Sequence, residues 1–239
     1  MHEGIHGNLF RKRRLDRWWG FFMGAPTMFC VTVYGVNHLL HHKHTRTEKD
    51  PDEFANFSQS KALLTAYFYI WIVLGMVWYK FRVPYVSMTR GSVRERRDIR
   101  LEQIVLALML WSLLLLAWWF SFLGAVVHCW GIPMIVAMIL ANSQGWSEHA
   151  MTDPKHPLTQ SRTVKSNAIC SFLNINLNYH LEHHLFPGVP WYNLPKLHKL
   201  LLPEYEAAGS SIYNSYLVFL FDAVTVGIHG MAPSPKSRP

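Results

Sequence analysis

Long apolar tracts alternate with polar segments along this chain. The clearest tract runs from Ile104 to Ala141. Its first part, Ile104–Phe122 (IVLALMLWSLLLLAWWFSF), predicts a helix of about 28 Å, close to the hydrocarbon thickness of a bilayer. Its second part, Ala125–Ala141 (AVVHCWGIPMIVAMILA), predicts a return span, interrupted near Gly131 and Pro133, with His128 near the turn. Two further tracts, Trp18–Val36 and Leu63–Tyr79, are apolar without reading plainly as spans. Tyr213–Ile228 is apolar enough to lie on a membrane surface. The tail 231–239 (MAPSPKSRP) predicts disorder.

The polar segments carry the chemistry, in three histidine clusters at helical spacing. His2 and His6 stand at i, i+4. His38, His41 and His42 stand at i, i+3, i+4, and His180, His183 and His184 repeat that pattern. Those spacings share one face of an α-helix, so each cluster aims its imidazoles at one place. Eight such groups exceed the four ligands of a tetrahedral zinc and suit two metal ions. Ligation rich in nitrogen and free of thiolate fits iron, copper, nickel or zinc better than magnesium or calcium.

Blander readings compete at each position. HEGIH, from His2, is by itself the HExxH of a zinc protease with Glu3 as base, but that leaves two histidine triplets unexplained. The second cluster could be a solvated loop, although its one-face spacing beside an apolar helix argues otherwise. His44 falls off that face and reads as a hydrogen-bonding partner or substrate contact. Glu48, Asp50 and Asp52 read as a solvated loop. Glu182 lies between third-cluster ligands but faces elsewhere, so it and Glu3 are assigned hydrogen-bonding roles behind them. His149 follows the second span and is a further candidate ligand, with Glu148 as its supporting neighbour. Asn142 and Asn178 are possible polar contacts, and His198 reads as a surface residue.

Convergence of the clusters on one site requires them to lie on one side of the bilayer. Trp18–Val36 is therefore expected to be interfacial or re-entrant, and Leu63–Tyr79 a lid or half-span. The net charge of +8 collects in Arg11–Arg17, in Arg90–Arg100 and near the C-terminus, which marks a cytoplasmic side. Nucleic acid is a poor partner, because these runs border apolar tracts and no binding motif is present. Three cysteines without a CxxC pair read as packing residues. A transporter would place ionisable groups inside its spans, and Ile104–Phe122 has none. The expected architecture is an all-α, multi-pass integral membrane protein. A transmembrane hairpin and interfacial helices would carry a cytoplasmic, histidine-rich di-metal site.

HEGIH, HLLHHKHT and HLEHH followed by LFPGVPWYNLPKLH resemble the three histidine boxes of the membrane fatty acid desaturases. The resemblance runs from His2 to about Tyr205. It implies a non-haem di-iron centre ligated by His2, His6, His38, His41, His42, His180, His183 and His184, with His149 matching the extra histidine after the last span. It further implies O2 as co-substrate, a lipid or acyl substrate, and electrons from a ferredoxin or a cytochrome b5-type donor. The family carries membrane helices ahead of its first box, whereas here that box begins at residue 2. The resemblance thus implies an N-terminally truncated desaturase-like domain over 1–205, an interfacial segment over 206–230 and the tail over 231–239. A leading His in HLEHH, where front-end desaturases fused to cytochrome b5 have Gln, points away from that branch. The expected reaction is O2-dependent desaturation of a fatty acyl chain. A hydroxylase or ketolase acting on a carotenoid or other lipid is the alternative, and a non-catalytic metal-binding membrane protein is the third reading.

Overall fold

The computed structural model describes residues 1–10, 12–58 and 60–227, with Met76 and Trp78 described by their backbone alone. The tail 231–239 lies outside the described residues. The chain is mostly helical and divides into two compact units, Met1–Lys43 with Tyr69–Asn142, and His44–Phe68 with Ser143–Pro239.

In the first unit α1 (His2–Ile5) is a single turn set against α2 (Arg13–Gly24). A Cβ at Gly4 would stand 2.9 Å from the Asp16 carbonyl oxygen, so only glycine permits this approach. Helix α2 is inside out for a soluble protein. It buries Asp16, Gly20 and Gly24, four residues apart, and exposes Trp18, Trp19, Phe22 and Met23. Small residues on the packed face and aromatic residues outside suit a lipid interface. A left-handed Met28 (φ 56°) then turns the chain, and Arg13–Thr27 meets α3 (Val31–His44) at 105°. That bend accords with the expected interfacial or re-entrant path.

Helix α4 (Lys61–Arg90) is longer than the expected half-span and bends by 98° between Lys61–Gly75 and Tyr79–Arg90. Helix α5 (Val93–Trp119) starts eleven residues before the expected Ile104, from a Ser92–Glu95 capping box. Much of the basic stretch Arg90–Arg100 is therefore helix. Its acids are used: Arg17 donates to Asp98 (2.6 Å) and Glu102 (2.8 Å), and Glu102 also accepts from the Thr32 hydroxyl and amide. Cys30 donates to the same carboxylate (2.9 Å), so it does more than fill space. These bonds tie α2, α3 and α5 around a core of Ala25, Cys30, Val33, Val83, Ile99 and Leu106.

The expected return span is one helix, Leu123–His149, rather than an interrupted one. It comprises α6 (Leu123–Val126), a π-turn over Val127–Gly131, and α7 (Ile132–His149). The π-turn absorbs Gly131 and lets Pro133 begin a fresh helical register, so the expected break does not occur. His128 lies in that turn, with Nδ1 2.7 Å from the Gly124 carbonyl oxygen. Only 17% of the apolar window of α5 and 6% of that of Leu123–His149 are buried. Both helices are long and apolar enough to cross a membrane.

The second unit adds α8 (Ala168–Leu173), α9 (His180–Leu185), α10 (Leu194–Leu200), α11 (Leu202–Ala208) and α12 (Tyr216–Thr225). The helical architecture agrees with the all-α expectation, apart from one short strand pair. Strands β1 (Arg162–Val164) and β2 (Ser211–Tyr213) pair in parallel, with Thr163 opposite Ile212, and Thr163 bridges to Tyr179 on its other side. The core gathers Phe68, Trp146, Met151, Val164, Tyr213, Phe219 and Ala223. Arg162, 1% exposed, runs through it. Its guanidinium donates to the Ser147 carbonyl (2.5 Å), the Ala150 carbonyl (2.6 Å) and the Ser211 hydroxyl (2.9 Å), and lies over the Phe219 ring. The last carbonyls of α7, which have no intrahelical partner, are thus held by a cation.

Candidate metal centre

In the first unit the first two histidine clusters meet. His2, His6, His38 and His42 each offer a ring nitrogen, and these four atoms all lie within 4.8 Å of one another. His6 Nε2 is 2.9 Å and His42 Nε2 3.1 Å from His38 Nε2. Nitrogen atoms crowded in this way form a donor set of the kind that can hold a metal ion. His41 is buried on the same helix, its ring 5.9 Å from that of His42. Tyr34, one turn before His38, stacks on its ring at 5.1 Å, and Glu3, itself buried, lies 3.3 Å from His2 Nδ1. Burial, with His2 nearby, pushes His6 down to about 4. At neutral pH its ring is uncharged and keeps a lone pair for a metal.

In the second unit His149, His180 and His184 bring ring nitrogens within 4.8 Å of one another. His149 Nε2 is 3.1 Å from His180 Nε2. The other His149 nitrogen, Nδ1, donates to the Gln160 carbonyl at 3.0 Å, which fixes the tautomer with the lone pair on Nε2. His184 Nδ1 is held 3.3 Å from the Thr45 hydroxyl. His183 is fully buried, its ring 5.9 Å from that of His184. Glu148 lies 3.5 Å from His180 Nε2 and accepts from the Gln144 amide.

Other expected positions fall elsewhere. The half-buried His44 ends α3, where its carbonyl caps Thr47, and its ring joins neither group among the described residues. Asp50 is not a solvated loop acid: it is buried and accepts from the amides of Arg46 and Asp52. Asn142 donates to the Trp71 carbonyl and Asn178 to the Val164 carbonyl, both structural bonds. His198 is not on the surface. It is 6% exposed and donates from Nδ1 to Glu182 at 2.6 Å. Glu182, fully buried, also accepts from Thr163 at 2.5 Å. Spacing could not reveal the roles of Thr163, Arg162 or His198, since each depends on a partner in a different element.

Residues 1–216 match the profile of the fatty acid desaturase family, and the chain belongs to that family. It is therefore an oxidoreductase of lipid metabolism. Among known proteins it is similar to the sphingolipid delta(4)-desaturase DES1 of Mus musculus, 25% identical over 237 residues, covering 94% of this chain and 67% of the mouse protein. DES1 of Bos taurus is 26% identical over 234 residues, with the same coverage. The sphingolipid delta(4)-desaturase/C4-monooxygenase DES2 of Mus musculus is 26% identical over 233 residues, covering 94% and 66%. The chain spans about two thirds of the length of these relatives.

Proposed function

We propose that this protein desaturates a long-chain lipid with O2 at a di-iron centre held by His2, His6, His38, His41, His42, His149, His180, His183 and His184. The observation that carries this reading is the convergence of imidazole nitrogens, without a thiolate, within each unit of a desaturase-family chain. Such a donor set fits iron. Bound iron would supply the O2 activation that removal of hydrogen from an unactivated methylene requires. In the balanced reaction two neighbouring C–H bonds break and a C=C bond forms. O2 becomes two waters, taking two electrons and two protons from an external donor.

The residues of the chain do the rest. Burial keeps His6 neutral and able to ligate. The Gln160 carbonyl, the Thr45 hydroxyl and Glu3 set the orientation of His149, His184 and His2 from behind. The bare apolar faces of α5 and Leu123–His149 seat the protein in the bilayer from which a lipid would enter. We place the site on the cytoplasmic face of a multi-pass protein, where the basic stretches support it. They would also favour an acidic electron donor.

The names of the relatives make a sphingolipid the first substrate class to test, beside acyl lipids. A second reading, hydroxylation, is favoured by the double name of DES2. Lipid profiling of an expressing host tests both. A new double bond supports desaturation, and a new hydroxyl supports the second reading. His41→Ala and His183→Ala are expected to abolish both product and bound iron, and retained turnover in either would overturn the proposal.

A further inference from the structure

We propose that His198 is a positioning residue for the third histidine cluster, acting through Glu182. The inference rests on the metal-centre reading above. Helix α9 has six residues, too few to hold a fixed orientation by its own hydrogen bonds. Yet it carries His180, His183 and His184. At about 100° per residue, Glu182 projects from roughly the opposite side of the helix to these three. A grip on Glu182 therefore sets where all three imidazoles point.

That grip comes from Thr163 and His198, with the Tyr205 phenol beside the same carboxylate. The Thr163 hydroxyl donates to Oε2 from β1, and β1 is itself paired with β2 and bridged to Tyr179. From α10, sixteen residues further along the chain, His198 Nδ1–H donates to Oε1. The two carboxyl oxygens accept from these two donors, which places the His198 proton at Nδ1. The His198 ring stands 5.5 Å from Tyr179 and 5.8 Å from Tyr205, which hold its plane. Glu182 is fully buried, so losing a donor leaves a carboxyl oxygen unpaired where water does not reach, and the helix must shift to relieve it.

The test uses the full chain, purified in detergent and freed of metal by a chelator, with Co2+ alone as the probe. Affinity and the visible absorption band of the bound ion are both read. His198→Phe keeps an aromatic ring between the tyrosines but removes the donor. It is expected to weaken Co2+ binding about 10–100-fold, the usual cost of losing a partner behind a ligand, and to shift the band. His198→Asn restores an N–H donor at the place of Nδ1 and is expected to recover most of the affinity. Thr163→Val removes the other donor at constant shape and is expected to weaken binding too. It carries the test should His198→Phe fail to fold. Wild-type affinity and spectrum in folded His198→Phe, or in Thr163→Val, would overturn the inference. His183→Ala separates the two readings. If it binds Co2+ as the wild type does, the metal centre itself is misassigned. If it loses Co2+ while His198→Phe does not, only the role of His198 fails.

Discussion

Arg162→Met tests how the second unit holds its histidines. The wild-type guanidinium is 1% exposed and bonds two main-chain carbonyls at the end of α7, Ser147 and Ala150, which bracket His149. Hydrogen bonds to a charged group contribute about 1.5–3 kcal/mol each. Met fills similar space but leaves both carbonyls and the Ser211 hydroxyl without this donor. Against that loss stands the desolvation cost of a buried cation, several kcal/mol in its own right, which Met avoids. The lost bonds should win, because the carbonyls stay buried in the absence of their donor. The expected net destabilisation is about 2–5 kcal/mol, or roughly 5–15 °C in Tm for a chain of this size. Arg162→Lys keeps the charge but not the fork that reaches both carbonyls, and should fall between. Thermal unfolding in detergent, followed by the fluorescence of Trp146 and the other tryptophans, reads the shift. Metal content should fall alongside, since His149 sits between the two freed carbonyls. Unfolding at the wild-type temperature with full metal content would refute the reasoning.

Two other substitutions bear on the first unit and its boundary. Gly4→Ala would place a Cβ 2.9 Å from the Asp16 carbonyl, so it should cost about 1–3 kcal/mol and weaken metal binding through His2 and His6, measurable by metal titration. An alanine variant as stable as wild type, with unchanged affinity, would show that α1 is not held against α2. His44→Ala should keep most of its iron and turnover, because this ring belongs to neither nitrogen group; complete loss of iron would show that the ligand set is drawn wrongly.

The histidine clusters were legible because helical spacing is a local property. His38, His41 and His42 share a face whatever surrounds them, and α3 keeps them in one helix. The bend after Thr27 was not legible in the apolar run Trp18–Val36, because it depends on a left-handed Met28. Helix α5 was legible only in its apolar two thirds. Its first turns hold Arg94, Glu95, Arg96, Arg97 and Asp98, which a hydropathy reading assigns to a loop, and the capping box and the Arg17 contacts make them helix. Gly131 and Pro133 suggested a break because their usual effect is to stop a helix, but a π-turn accommodates them. His198 looked like a surface residue within a basic run because its partner, Glu182, belongs to another helix. Strand β1 was invisible, since three residues carry no periodicity and the strand exists through its pairing with β2.

The central claim is most directly tested by the metal content of the detergent-purified chain, with iron and zinc measured per polypeptide. The account predicts about two irons per chain, lost together in His183→Ala. A single zinc, or undiminished iron in that variant, would contradict it.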